Sequence, residues 1–160
     1  MVFLLSASQG QEAPVARWRA SAGLFAPFDI PSGVDASAGW TVAVEVLYAS
    51  SPQTRRAAAG SFRFAHYPLG AGQSVDIYVP TLELRQYFGA SRDDNPLKGW
   101  WIGIGPGMLF GKNSGGGSVW HFAYTAALGY DADRLFVEAR MLRGVKPGEH
   151  GFIASIGLRW

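Results

Sequence analysis

Trp40-Thr41-Val42-Ala43-Val44-Glu45-Val46-Leu47-Tyr48-Ala49 is the stretch on which the fold turns. Side chains alternate across an extended strand, so Val42, Val44, Val46 and Tyr48 share one face and Thr41, Ala43, Glu45 and Leu47 share the other. The second set carries the only charge. The same period of two recurs in about eight segments, each near the 9–11 residues that a tilted transmembrane strand needs, with Gly, Pro, Asn and Asp between them. No helical period competes with it.

Outward from that stretch, Trp18, Ala20, Ala22 and Leu24 oppose Arg17, Arg19, Ser21 and Gly23, and Phe62, Phe64 and His66 oppose Ser61, Arg63, Ala65 and Tyr67. A segment from Val75 to Phe88 sets Tyr78, Pro80, Leu82 and Leu84 against Thr81, Glu83, Arg85 and Tyr87. Pro80 lacks the ladder donor and predicts a bulge or an unpaired position. Trp100, Ile102, Ile104 and Met108 alternate with Trp101, Gly103, Gly105 and Gly107; Trp120, Phe122, Tyr124 and Tyr130 alternate with His121, Ala123, Thr125 and Gly129. Leu135, Val137 and Ala139 oppose Phe136, Glu138 and Arg140, and Phe152, Ile156, Leu158 and Trp160 oppose Ile153, Ser155, Gly157 and Arg159.

The chain has 160 residues, 48% hydrophobic, 14% aromatic and 16% charged, which bounds it to one domain. The charged fraction lies below the roughly 25% of ordinary soluble domains. Fourteen Lys plus Arg against twelve Asp plus Glu give +2, and no stretch gathers the cations as a nucleic-acid surface would. With no Cys there is no disulfide framework or thiolate site. Residues 1–14 read as the remnant of an export signal or as an apolar arm, and 15–160 as the folded domain. Gly, Arg, Glu or Pro interrupts every apolar run before the length of a spanning helix, so a bilayer would be crossed by strands.

Polarity then separates two all-β architectures. A soluble lipocalin-like barrel would have to enclose the bulky Trp, Phe and Leu set in a tapering interior. The alternate set of Gly, Ala, Ser and Thr with interspersed Arg and Glu suits a narrow lumen. The sequence therefore predicts a single eight-stranded antiparallel transmembrane up-and-down β-barrel with its apolar face toward lipid. Trp18, Trp40, Tyr48, Trp100, Trp120, Tyr130 and Trp160 recur near segment ends, where interface rings belong.

The terminal Trp160, with apolar residues at alternate positions before it, resembles the assembly signal of bacterial outer-membrane barrels. Thr81-Leu-Glu-Leu-Arg-Gln-Tyr-Phe88, Gly99-Trp-Trp-Ile-Gly-Ile-Gly-Pro-Gly-Met-Leu-Phe110, Leu135-Phe-Val-Glu-Ala-Arg140 and Gly151-Phe-Ile-Ala-Ser-Ile-Gly-Leu-Arg-Trp160 resemble strands of small OmpX-, OmpA- and OmpW-like barrels. The resemblance implies an outer membrane of the Gram-negative type, recognition of the last strand by the barrel-insertion machinery, and periplasmic termini. The connections 26–39, 68–74, 111–118 and 144–150 would then face outward and 50–60, 89–99 and 130–134 inward. Membrane lipids, lipopolysaccharide among them, are the expected partners of a monomer without a cofactor.

Arg17, Arg19, Glu45, Arg63, Glu83, Arg85, His121, Glu138, Arg140 and Arg159 share the predicted luminal side. Enclosed charges must be paired, and the guanidinium fork can bridge two carboxylates. A charged plug is the expectation, and a narrow ion path the alternative. A third reading is a hydrolase similar to the PagL-type lipid A deacylases, which place a His-x-Ser pair after the penultimate strand; here Arg140-Met-Leu-Arg-Gly-Val145 has neither residue. His121 as base and Thr125 as nucleophile would be the substitutes. His66, His121 and His150 are too scattered for a metal site. Gly111-Lys-Asn-Ser-Gly-Gly-Gly-Ser118 lacks a P-loop ending and reads as a hairpin loop. Lys112, Arg143 and Lys146 fall in outward connections, suited to lipid phosphates or to a contact surface.

Overall fold

The alternating segments form eight strands in a computed structural model that describes residues 16–51, 54–89, 97–145 and 150–160. The expected leader or arm at 1–14 and Lys146 lie outside the described residues. The strands are β1 (Ala16–Phe28), β2 (Gly39–Ser51), β3 (Arg56–Pro68), β4 (Ser74–Phe88), β5 (Gly99–Asn113), β6 (Ser118–Asp131), β7 (Leu135–Gly144) and β8 (His150–Arg159). Each pairs antiparallel with the next, and β8 returns to β1 to close the barrel. Closure removes the free edges that hydrocarbon cannot satisfy. Among the described residues no helix is long and apolar enough to cross a membrane.

Backbone chemistry explains the tight connections. In the β3–β4 turn Gln73 N–H donates to Gly70 O, and the central Ala71 and Gly72 have φ of 61° and 74°. Two consecutive left-handed residues reverse the chain, and Leu69 N–H on Gln73 O at 2.7 Å closes a three-residue loop. The β5–β6 turn closes with Asn113 N–H on Gly117 O at 2.9 Å and Gly116 at φ 92°, which matches the three-residue hairpin with a glycine bulge. The Gly111–Ser118 loop predicted from composition therefore shortens to 114–117.

Two other boundaries differ from expectation. β1 continues through Phe28, pairing Phe25 with Ile153 and Phe28 with His150. The inner turn expected at 50–60 is mostly strand, because Arg56, Ala57, Ala58, Ala59 and Gly60 pair with β4 and all five also with β2. Small residues have little β-propensity of their own, and the neighbours on both sides hold them extended.

The start of β1 and the end of β8 lie at one end of the barrel, here the terminal end. There Trp18 and Trp160 exchange backbone hydrogen bonds of 3.1 Å each way, which fastens the last residue to the first strand. Pro80 sits at an unpaired position and not at a bulge. Pairing of β4 with β5 passes from Tyr78↔Phe110 to Thr81↔Gly107 to Leu84↔Ile104 without change of register, skipping Pro80 and Pro106. On their other sides Pro80 is in register with Phe62 and Pro106 with Tyr124. The two missing donors thus fall on one seam, consistent with the confinement of strand proline to unpaired positions.

The interior is layered. Toward the far end, Phe25, Tyr67, Ile77, Val79, Leu109, Leu142 and Ile153 form one apolar cluster; toward the terminal end, Leu47, Tyr87, Leu97 and Trp101 with Ala57, Ala59 and Ala127 form another. The buried charges lie with the inward-facing Thr and Ser between and beside them. Leu82 and Leu84 are 70% and 72% exposed on the outer wall while Arg19 and Trp101 are 0% exposed within. Large apolar side chains facing outward over the whole wall, opposite enclosed guanidiniums, are the surface of a membrane barrel.

Candidate functional site

The luminal side chains come from strands far apart in sequence, and closure of the barrel brings them together. Arg159 Nη1 lies 3.6 Å from Asp131 Oδ2, and Arg19 Nη2 lies 3.3 Å from Asp131 Oδ1. Arg19 Nε is 3.3 Å from Glu45 Oε1. Arg85 holds Glu45 with both prongs, Nη1 on Oε1 at 2.8 Å and Nη2 on Oε2, and reaches Glu83 at 2.9 Å. Arg140 links Glu83 to Glu138, the latter at 3.2 Å. Arg63 ends the series on Glu138.

The order Arg159, Asp131, Arg19, Glu45, Arg85, Glu83, Arg140, Glu138, Arg63 alternates in sign at every step. Neutral donors fill remaining lone pairs: Thr125 Oγ1 donates to Glu83 at 2.7 Å and Ser155 Oγ to Glu138 at 3.0 Å. Arg19 lies over the Phe136 ring at 3.5 Å and Arg85 over the Trp101 ring at 4.0 Å, where the negative ring face meets the planar cation. Desolvating so many charges costs several kcal/mol per ion, and the opposite charge beside every member of the series is what offsets it.

Asp131 is the member that the sequence reading missed, having been placed in a turn. Tyr87 Oη donates to it at 3.0 Å and Trp101 Nε1 at 2.9 Å, and it is 0% exposed. Its signal was available: it continues the parity of Thr125, Ala127 and Gly129. Arg17 and His121 occupy the margins of the belt. Arg17 is half-buried at the terminal end, and His121, half-buried, stands beside Leu109 at the level of the far apolar cluster. Trp18, Trp40, Tyr48, Trp100, Trp120, Tyr130 and Trp160 are all exposed on the outer wall. Register sets Trp100 beside Tyr130 near the terminal end and Trp120 beside Phe110 near the far end.

The geometry offers no hydrolytic site at Thr125. Its hydroxyl is buried and donates to a carboxylate already engaged by Arg85 and Arg140, so substrate has no approach to it. The other two histidines form separate pairs at the far end. His66 Nδ1 is 2.8 Å from Asp76 Oδ1 with its ring against Trp40, and His150 Nε2 is 3.3 Å from Asp29 Oδ2 with its ring against Phe28. Among the described residues no group of three or more His, Asp or Glu is arranged to hold a metal ion. Lys112 and Arg143 are exposed toward the far end.

No known family signature matches the sequence, and no curated protein matches it significantly. Solved structures do resemble the fold. Ail, the attachment invasion locus protein of Yersinia pestis, superposes with a TM-score of 0.57 at 13% identity, over 91% of this chain and 99% of that one. The outer membrane protein OprG from Pseudomonas aeruginosa gives 0.55 at 9% identity, over 95% and 98%. Neisserial surface protein A gives 0.51 at 11% identity, over 92% and 98%. The architecture is that of the small outer-membrane barrels, at identities that speak for fold alone.

Proposed function

We propose that this chain is an integral outer-membrane barrel with periplasmic termini that acts through its surface, as a structural or contact protein, and neither conducts nor catalyses. The observation that carries the reading is the filled lumen: Phe25, Leu109 and Leu142 on one side of the ion-paired belt and Leu47, Leu97 and Trp101 on the other are all buried. An eight-stranded barrel has room for side chains and little else. The far-end connections 29–38, 69–73 and 114–117, with Val145 after β7, then face outward, where Lys112 and Arg143 suit the phosphates of lipopolysaccharide. The last strand, ending in an exposed Trp160, is the part offered to the insertion machinery. The reading needs no cofactor and no second subunit.

Planar bilayers test it. The purified barrel should show no steady conductance, and lipopolysaccharide incubated with it should keep all its acyl chains while remaining bound. A stable ohmic current would replace the plug with a pore, and released fatty acid would replace contact with hydrolysis.

A further inference from the structure

The ring of aromatic side chains at the terminal end has a gap. On the outer face of β3 the residues at that level are Arg56, Ala58 and Gly60, where β2 presents Tyr48 and Val46 beside them and β4 presents Gln86, Leu84 and Leu82. Cross-strand partners normally cover one another. Here Leu84 has only Ala58 opposite on β3, and Leu82 only Gly60, and the two leucines are 72% and 70% exposed. The result is a groove of ≈ 450 Å³ floored by Ala58, walled by Leu84, Ile102 and Ile104, and headed by Arg56 and Gln86. Directly along the same strands it is followed by a second depression of ≈ 580 Å³ over Gly60, Pro80 and Pro106.

Gly60 is not small for want of space. A Cβ there would meet Val46 and Leu82 at ordinary contact distances of 3.7 and 3.8 Å, so the open floor is not demanded by packing. At its head, Arg56 Nε donates to Gln86 Oε1 at 3.0 Å, and Gln86 Nε2 donates to the backbone carbonyl of Thr54 at 3.1 Å. These bonds hold a cation and an amide at the rim of an apolar track. A cation above a greasy groove on a lipid-facing wall is complementary to one amphiphile: a phosphate above an acyl chain.

We infer that this outer-wall groove binds an anionic glycerophospholipid from the leaflet at the terminal end, with its phosphate at Arg56 and an acyl chain along Ala58 and Gly60 toward Pro80. The inference rests on the membrane-spanning reading above. A second copy of the chain is the competing occupant, and the track fits it less well, because a phosphate brings the counter-charge that a guanidinium leaving water requires.

The full chain, purified in detergent and titrated with phosphatidylglycerol or phosphatidylcholine, is read by native mass spectrometry for retained lipid. The wild-type barrel should hold phosphatidylglycerol about five-fold more tightly than phosphatidylcholine, the effect of one cation on an anionic headgroup. Arg56→Gln should abolish that preference, Ala58→Leu and Gly60→Leu should weaken both lipids, and Lys112→Gln should change neither. Equal retention of the two lipids by the wild type, or unaltered retention in the Arg56→Gln and Ala58→Leu variants, overturns the inference. A dimer that disappears in Ala58→Leu, without lipid being lost, reassigns the groove to a second copy and overturns it too. Failure of the chain to insert into phosphatidylglycerol–phosphatidylcholine vesicles overturns the membrane reading itself; insertion without lipid preference overturns the groove alone.

Discussion

The lumen is filled in two different ways within one barrel. Toward the far end, rings and branched chains occupy it, with Phe25 stacked on Tyr67 at 5.3 Å among Ile77, Leu109 and Leu142. In the belt, Arg19, Arg63, Arg85 and Arg140 do so, bridged by Glu45, Glu83, Glu138 and Asp131. Both regions use the same inward parity of the same strands. The apolar region stabilises by burial, which tolerates substitution by similar volume. The belt depends on continuity, because each carboxylate bridges two cations and a single deletion deprives both of a partner at once.

Breaking one carboxylate should therefore have the largest effect. Asp131→Ala, which leaves Arg19 and Arg159 without their shared partner and strands the Tyr87 and Trp101 donors, should lower unfolding free energy in micelles by about 3–5 kcal/mol. Glu138→Ala should cost a similar amount, against a change within about 0.5 kcal/mol for Asp35→Ala in an exposed loop; equal urea midpoints for the two would count against the plug. Leu142→Ala, the corresponding deletion in the apolar region, should cost about 3 kcal/mol and leave a cavity. If Asp131→Ala proves milder than Leu142→Ala, the belt is less dependent on continuity than argued.

A double-mutant cycle sharpens the contrast. Arg63→Met and Glu138→Met should each destabilise strongly, yet together should cost less than their sum, since the pair removes both charges at once. Additive losses would show that Arg63 is held by something other than Glu138. Smaller again, Thr125→Val should cost about 1.5 kcal/mol by removing one donor from a charged acceptor. The glycines give the finest test. A Cβ at Gly129 would run into the Trp101 ring, so Gly129→Ala should cost about 1–3 kcal/mol, whereas Gly60→Ala on the outer wall should leave the unfolding midpoint unmoved.

Much of this was legible beforehand, and the particulars show why. Glu45, Glu83, Arg85 and Glu138 were placed on one face by alternation, because a period of two admits no third direction, and that face was placed inward by its polarity. Asp131 was not, because a carboxylate followed by Ala132 and Asp133 at a segment end has the composition of a turn. The run from Arg56 to Gly60 was read as a turn for the same reason, and it is the run that forms the outer groove. Leu97, buried at the mouth of the barrel, follows no alternation and was invisible to it.

By itself, the order of residues determined that strands would form, roughly where, and which way each side chain would point, since those are properties of a single extended segment. Which charge meets which was settled only by closure. Arg63 and Glu138 lie 75 positions apart, on strands that never pair, and their contact exists because the wall returns to its start and encloses them in a space too narrow for either to remain hydrated.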